Sequence, residues 1–176
     1  PHPPTMKPAA TLPPRTMTPR HAAARAPALA LDLQQAVATR GVPDFAAVER
    51  AVAAALAGRR ARAELTVRVV GRRESRVLNR RFRGIDKPTN VLSFPAQGLN
   101  AVAPDFLGDI VICAPLVAGE ARERGKTLRA HWYHLVVHGV LHLLGYDHVD
   151  AADAHTMEDL EREIMAGLGF GDPYLA

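Results

Sequence analysis

The run TLRAHWYHLVVHGVLHLLGYDH, from Thr127 to His148, decides how this chain folds. At about 3.6 residues per helical turn, Trp132, Leu135, Val136, Val137, Val140, Leu141, Leu143 and Leu144 fall on every side of a helix. A helix that is apolar all round is buried within its protein. Thr127 is the kind of residue that caps a helix start, by accepting a backbone N–H. Gly145 is the kind that ends one, because glycine takes the left-handed conformation without steric cost. The histidines between them therefore lie in the interior, where a polar ring needs a partner.

His138 and His142 are four residues apart, so a helix stacks both rings on one face. After the turn at Gly145 the chain can double back and bring His148 to the same point. Three neutral imidazoles around one point make a transition-metal site, with zinc the expected ion, one per chain, and one coordination position left for water. Six of the eight histidines lie between His131 and His155, and one ion cannot use them all. His134 and His142 are about 12 Å apart along a helix axis, too far to share an ion comfortably. His131, His134 and His155 are therefore expected to be structural or surface groups.

The spacing also invites comparison with the zinc peptidase motif, in which a glutamate follows the first histidine as general base. Gly139 stands there, which argues against peptidase chemistry. Asp147 could orient a ligand imidazole, bind substrate or simply stabilise the turn. Cys113, the only cysteine in the sequence, is the one thiol that could close a structural four-ligand shell. Otherwise it is a small buried strand residue. The open, three-ligand site is preferred.

The 176 residues, 48% of them hydrophobic, suit one soluble domain with a real core. No apolar run approaches the roughly 18 residues that a membrane span needs, and the lone cysteine suits a reducing cytoplasm. The net charge of +4 is carried largely by arginine, with lysine only at Lys7, Lys87 and Lys126. Arginine's planar fork pairs bidentately with phosphate and so favours nucleic acid, although a G+C-rich genome would enrich arginine and alanine alike.

Residues 1–27 are rich in proline and free of acidic residues, and are expected to form a disordered extension. The foldable domain is expected over 28–176. Leu29–Leu33 is expected as a first strand. A helix with Pro43 in its first turn carries Phe45, Val48, Val52 and Leu56 as its inner stripe. Leu65, Val67 and Val69 alternate with polar residues as a strand covered on one face. A short helix over Glu74–Phe82 turns Val77, Leu78 and Phe82 inward. Strands at Asn90–Phe94 and Leu107–Cys113, a helix over Pro115–Arg124, the histidine helix and a last helix over Ala151–Ala166 complete the order. Met157, Leu160, Ile164 and Leu168 form the last helix's inner face. This is a single α+β domain: a small mixed β-sheet packed by about five helices, with the metal site at the end of a buried central helix.

Arg72, Arg73, Arg76, Arg80, Arg81 and Arg83 crowd one short segment, and four of them (Arg73, Arg76, Arg80, Arg83) share a helical stripe suited to a phosphate backbone. The segment RGIDKPTNVLSFP, Arg83 to Pro95, follows directly. Together with LGDIVIC (Leu107–Cys113) and HGVLHLLGYDH (His138–His148), in that order, it resembles the bacterial YbeY family of endoribonucleases and rRNA maturation factors. The resemblance covers about Leu29 to the C-terminus; Phe82 stands where a tyrosine is common and Ile85 where a lysine is frequent. It implies zinc held by His138, His142 and His148, and a functionally important arginine at Arg83. It also implies single-strand-specific cleavage of RNA in maturation of the small-subunit (16S) rRNA 3′ end and in ribosome quality control, with the small subunit or its proteins as partners. Lys87, Ser93 and Asp109 are further candidates for contacting substrate. The competing expectation is a non-catalytic ribosome-assembly factor whose zinc only holds the fold.

Overall fold

The computed structural model describes residues 25–175. Most of the expected disordered extension lies outside the described residues. The elements run β1 (Ala28–Gln35), α1 (Phe45–Leu56), β2 (Arg62–Val70), α2 (Arg72–Arg83), β3 (Val91–Pro95), β4 (Phe106–Cys113), α3 (Ala114–Glu123), α4 (Leu128–Leu143) and α5 (Ala151–Gly167). The four strands form one mixed sheet in the order β1-β2-β4-β3, with β3 antiparallel to β4 and the other pairings parallel. This is the α+β architecture expected from the sequence.

Alternation along β2 buries Ala63, Leu65, Val67 and Val69 on one face. That face joins Val48, Val52 and Leu56 of α1, nearly the whole of α4, and Met157, Ile164 and Met165 of α5 in the main core. Burying one such aliphatic side chain is worth about 1.5–3 kcal/mol. On the second face, Leu78 of α2 packs on a small cluster of Val70, Leu92, Val111 and Cys113. Strand β4 carries side chains into both clusters, so it is the sheet's most buried strand and the floor under α4.

Two expectations about inward faces need correction. Phe45, the first residue of α1, is 46% exposed, because the helix begins there, beyond the edge of the core. On α2, Val77 and Phe82 are 57% and 55% exposed, and the buried residues are the polar Ser75 and Asn79. The reason is what α2 covers. Its inner face closes over the following polar loop: Ser75 Oγ donates to Thr89 O (2.7 Å) and accepts from Thr89 N (2.9 Å), while Asn79 Nδ2 donates to Lys87 O (2.7 Å). Arg76 adds a bidentate pair to Asp86 at 2.8 and 2.9 Å.

Candidate metal centre and cleft

Helix α4 lies against β4 closely enough that a Cβ on Gly139 would stand 2.9 Å from Ile110 Cγ2. The position at which a peptidase carries its glutamate is thus pressed onto the sheet, where even a Cβ would crowd Ile110. Thr127 caps the helix by accepting from Ala130 N at 3.2 Å, as its sequence position suggests. At the other end the turn is a complete Schellman motif. Gly145 N donates to His142 O (3.0 Å), Tyr146 N to Leu141 O (3.1 Å), and Gly145 has φ +95°. That turn reverses the chain, and Asp147 fixes the next step by accepting from His148 N at 2.7 Å.

The result brings His138, His142 and His148 together, their ligand nitrogens all within 4.8 Å of one another. His138 Nε2 and His142 Nε2 are 3.1 Å apart, close to the ~3.3 Å expected of two nitrogens held about 2.0–2.1 Å from one tetrahedral ion. Burial, reinforced by His138 and His148, pushes His142 down to about 4, so its ring is neutral and keeps a lone pair at neutral pH. The donor set therefore fits a borderline transition-metal ion such as zinc. Among the described residues no fourth histidine, cysteine or carboxylate joins this trio. Cys113 is buried in the small cluster on the far side of the sheet, and burial raises its thiol pKa, so it does not close the shell.

The histidines stand in a cleft of about 530 Å³, whose other walls include Arg83, Thr89, Asn90, Ser93, Tyr146 and Asp147. Arg83 is exposed at the end of α2 and has no ion-pair partner among the described residues. Ser93 faces α4 and donates to Gly139 O at 3.3 Å. Lys87 and Asp109 do not line the cleft. Lys87 is exposed on the loop, and Asp109 shares the opposite sheet face with Val111 and Cys113, following strand alternation. Arg76 belongs to the basic stripe, but Asp86 already neutralises it.

Sequence reasoning missed Glu161. This carboxylate is fully buried on α5, with Oε1 2.6 Å from His138 Nδ1 and Oε2 in contact with the Tyr174 hydroxyl and 3.4 Å from His134 Nε2. Burial works to raise its pKa, but the adjacent His134 and His138 outweigh burial and hold it down at about 2. A signal was present: Glu161 follows Met157 by four residues and precedes Met165 by four, inside the apolar stripe. His131 is buried too, bonded to Glu120 Oε2 at 2.7 Å, while His155 is exposed. None of these three histidines lines the cleft.

A sequence model of the family described as "Endoribonuclease YbeY" matches residues 38–169. A curated protein of that name from Alkalilimnicola ehrlichii (strain ATCC BAA-1101 / DSM 17681 / MLHE-1) is 59% identical over 155 residues, covering 85% of this chain and 93% of the relative. The solution structure of TM1509 from Thermotoga maritima is similar over 84% of this chain and 99% of its own, with 24% identity and a TM-score of 0.48. With three-quarters of its length matched by the family and a close curated relative, this chain belongs to the YbeY family of endoribonucleases.

Proposed function

We propose that His138, His142 and His148 hold one zinc ion, and that the cleft around them hydrolyses single-stranded RNA. The observation that carries this is the arrangement itself: a trio of imidazoles with no fourth protein ligand among the described residues, sharing a cleft with an unpaired arginine. A bound zinc ion supplies Lewis acidity, polarising a phosphodiester oxygen and lowering the pKa of water to about 7. Arg83 contributes a planar, permanently charged fork that holds the scissile phosphate and offsets the charge that develops on it. Ser93 and Asp147 complete the polar wall on which the backbone rests. Gly139 leaves the site without the peptidase base, which argues against peptide hydrolysis.

The biological substrate we infer is small-subunit rRNA, cleaved at its 3′ end during maturation and in ribosome quality control, with the small subunit or its proteins presenting the strand. This is the role that family membership and the excess of arginine support. No helix of the described residues is long and apolar enough to cross a membrane, and we infer that the protein works in the cytoplasm, where its substrate is made.

The test is cleavage of a single-stranded RNA oligomer by metal-analysed protein beside Arg83→Ala and His142→Ala variants. Loss in both, with Arg83→Ala still folded and metal-loaded, is expected. Arg83→Ala cleaving at the parent rate removes the arginine from the chemistry. A metal-loaded parent that binds RNA without cutting it, even on isolated small subunits, replaces hydrolysis with an assembly role and a structural zinc.

A further inference from the structure

We propose that Glu161 is a positioning residue of the metal centre, fixing the orientation and tautomer of His138 from behind, a role that rests on the three-histidine metal reading above. Glu161 sits among Met157, Ile164 and Met165, on the face of α5 that enters the main core, and is fully buried. An ionised carboxylate in such a place is tolerated only when its oxygens are bonded, and here both are engaged. Oε1 meets His138 Nδ1 at 2.6 Å, and Oε2 accepts the Tyr174 hydroxyl beside His134 Nε2 at 3.4 Å.

The consequence follows from the chemistry of the two groups. A carboxylate can only accept, so the His138 nitrogen facing it must carry the proton. Nδ1–H therefore donates to Glu161, and Nε2 is left with a free lone pair. That lone pair is the one that faces His142 Nε2 at 3.1 Å. Hydrogen bonding to a carboxylate also makes an imidazole a stronger donor to a metal. The groups His134, His138 and Glu161 lie close enough to suggest a second ion, but 2.6 Å between Nδ1 and Oε1 is a charge-assisted hydrogen-bond distance. Because α5 begins soon after His148, the same helix that supports one ligand also anchors the segment that carries another.

The test compares parent and Glu161→Gln for zinc affinity by competition with a chromophoric chelator, alongside circular dichroism and thermal midpoint. The glutamine keeps the shape and an acceptor oxygen but removes the charge. A weakening of about 10–100-fold is expected. A residue that is merely structural would lower the midpoint and leave zinc affinity unchanged, and that result overturns the proposal. Histidine-ring ¹⁵N–¹H NMR of the zinc-loaded parent gives an independent readout, which decides the matter should Glu161→Gln fail to fold. His138 protonated at Nδ1 supports the role, and protonation at Nε2 overturns it. A parent that binds no zinc overturns the metal reading, and the proposal with it, whereas a parent that binds and a variant that binds equally well remove only Glu161.

Discussion

Replacing Gly139 by alanine should destabilise the protein, although alanine is the better helix former. In an open helical position the exchange gains about 0.8–1.0 kcal/mol. Here the new methyl would stand 2.9 Å from Ile110 Cγ2 and 3.0 Å from Ile110 Cδ1. Ile110 is fully buried on β4, and a β-branched side chain cannot easily rotate away. Overpacking of this kind costs about 1–3 kcal/mol, so the net expectation is a loss of about 1 kcal/mol. For a chain of this size that lowers the thermal midpoint by about 2–4 °C. The assay is reversible urea unfolding of the metal-free protein for Gly139→Ala, Ile110→Ala and the double variant. Ile110→Ala alone should cost about 2–5 kcal/mol. In its background the added methyl enters vacated space, so the glycine exchange should turn neutral or favourable, a coupling of about 1–3 kcal/mol. A Gly139→Ala variant more stable than the parent, or the same change in both backgrounds, would refute the claim that close packing of α4 on β4 requires glycine.

Three further outcomes follow from the geometry. Ser75→Ala removes both hydrogen bonds that hold Thr89, at a cost of about 1–3 kcal/mol in urea unfolding; an unchanged midpoint would show that the loop into β3 does not depend on α2. Asp86→Asn frees Arg76, whose partner it is at 2.8 Å. RNA affinity should then rise at low salt with a salt dependence steeper by about 0.7 for one added phosphate contact, and an unchanged slope would exclude Arg76 from the RNA path. His131 is held below an ordinary histidine by burial, partly offset by its bond to Glu120. The unfolded chain therefore binds more protons just below the ordinary histidine pKa, and the stability His131 contributes falls as the pH drops through that region. NMR titration showing His131 protonated at or above the ordinary value would contradict this sign.

Much of the molecule was legible in the sequence because α4 is apolar on all sides and bounded by Thr127 and Gly145. Those features put the helix in the core, its histidines inside, and His148 within reach of His138 and His142. Two of the parts that escaped share one physical cause: polar residues doing interior work. On α2 the apolar Val77 and Phe82 drew the inward face to the wrong side, because Ser75 and Asn79 are buried by hydrogen bonds to a loop. On α5 the stripe Met157, Leu160, Ile164 and Leu168 is legible, while Glu161 within it is not singled out. Asp109 looked available from its motif, but strand alternation turns it to the far side of the sheet from the histidines.

The most direct measurement is a titration of chelator-stripped protein with zinc while cleavage of a single-stranded RNA is followed. Cleavage should rise from zero and level off at one equivalent of zinc per chain, with no rise at all in His142→Ala. Full cleavage by the stripped protein, or zinc bound at one equivalent without any effect on cleavage, would contradict a hydrolytic centre built on His138, His142 and His148.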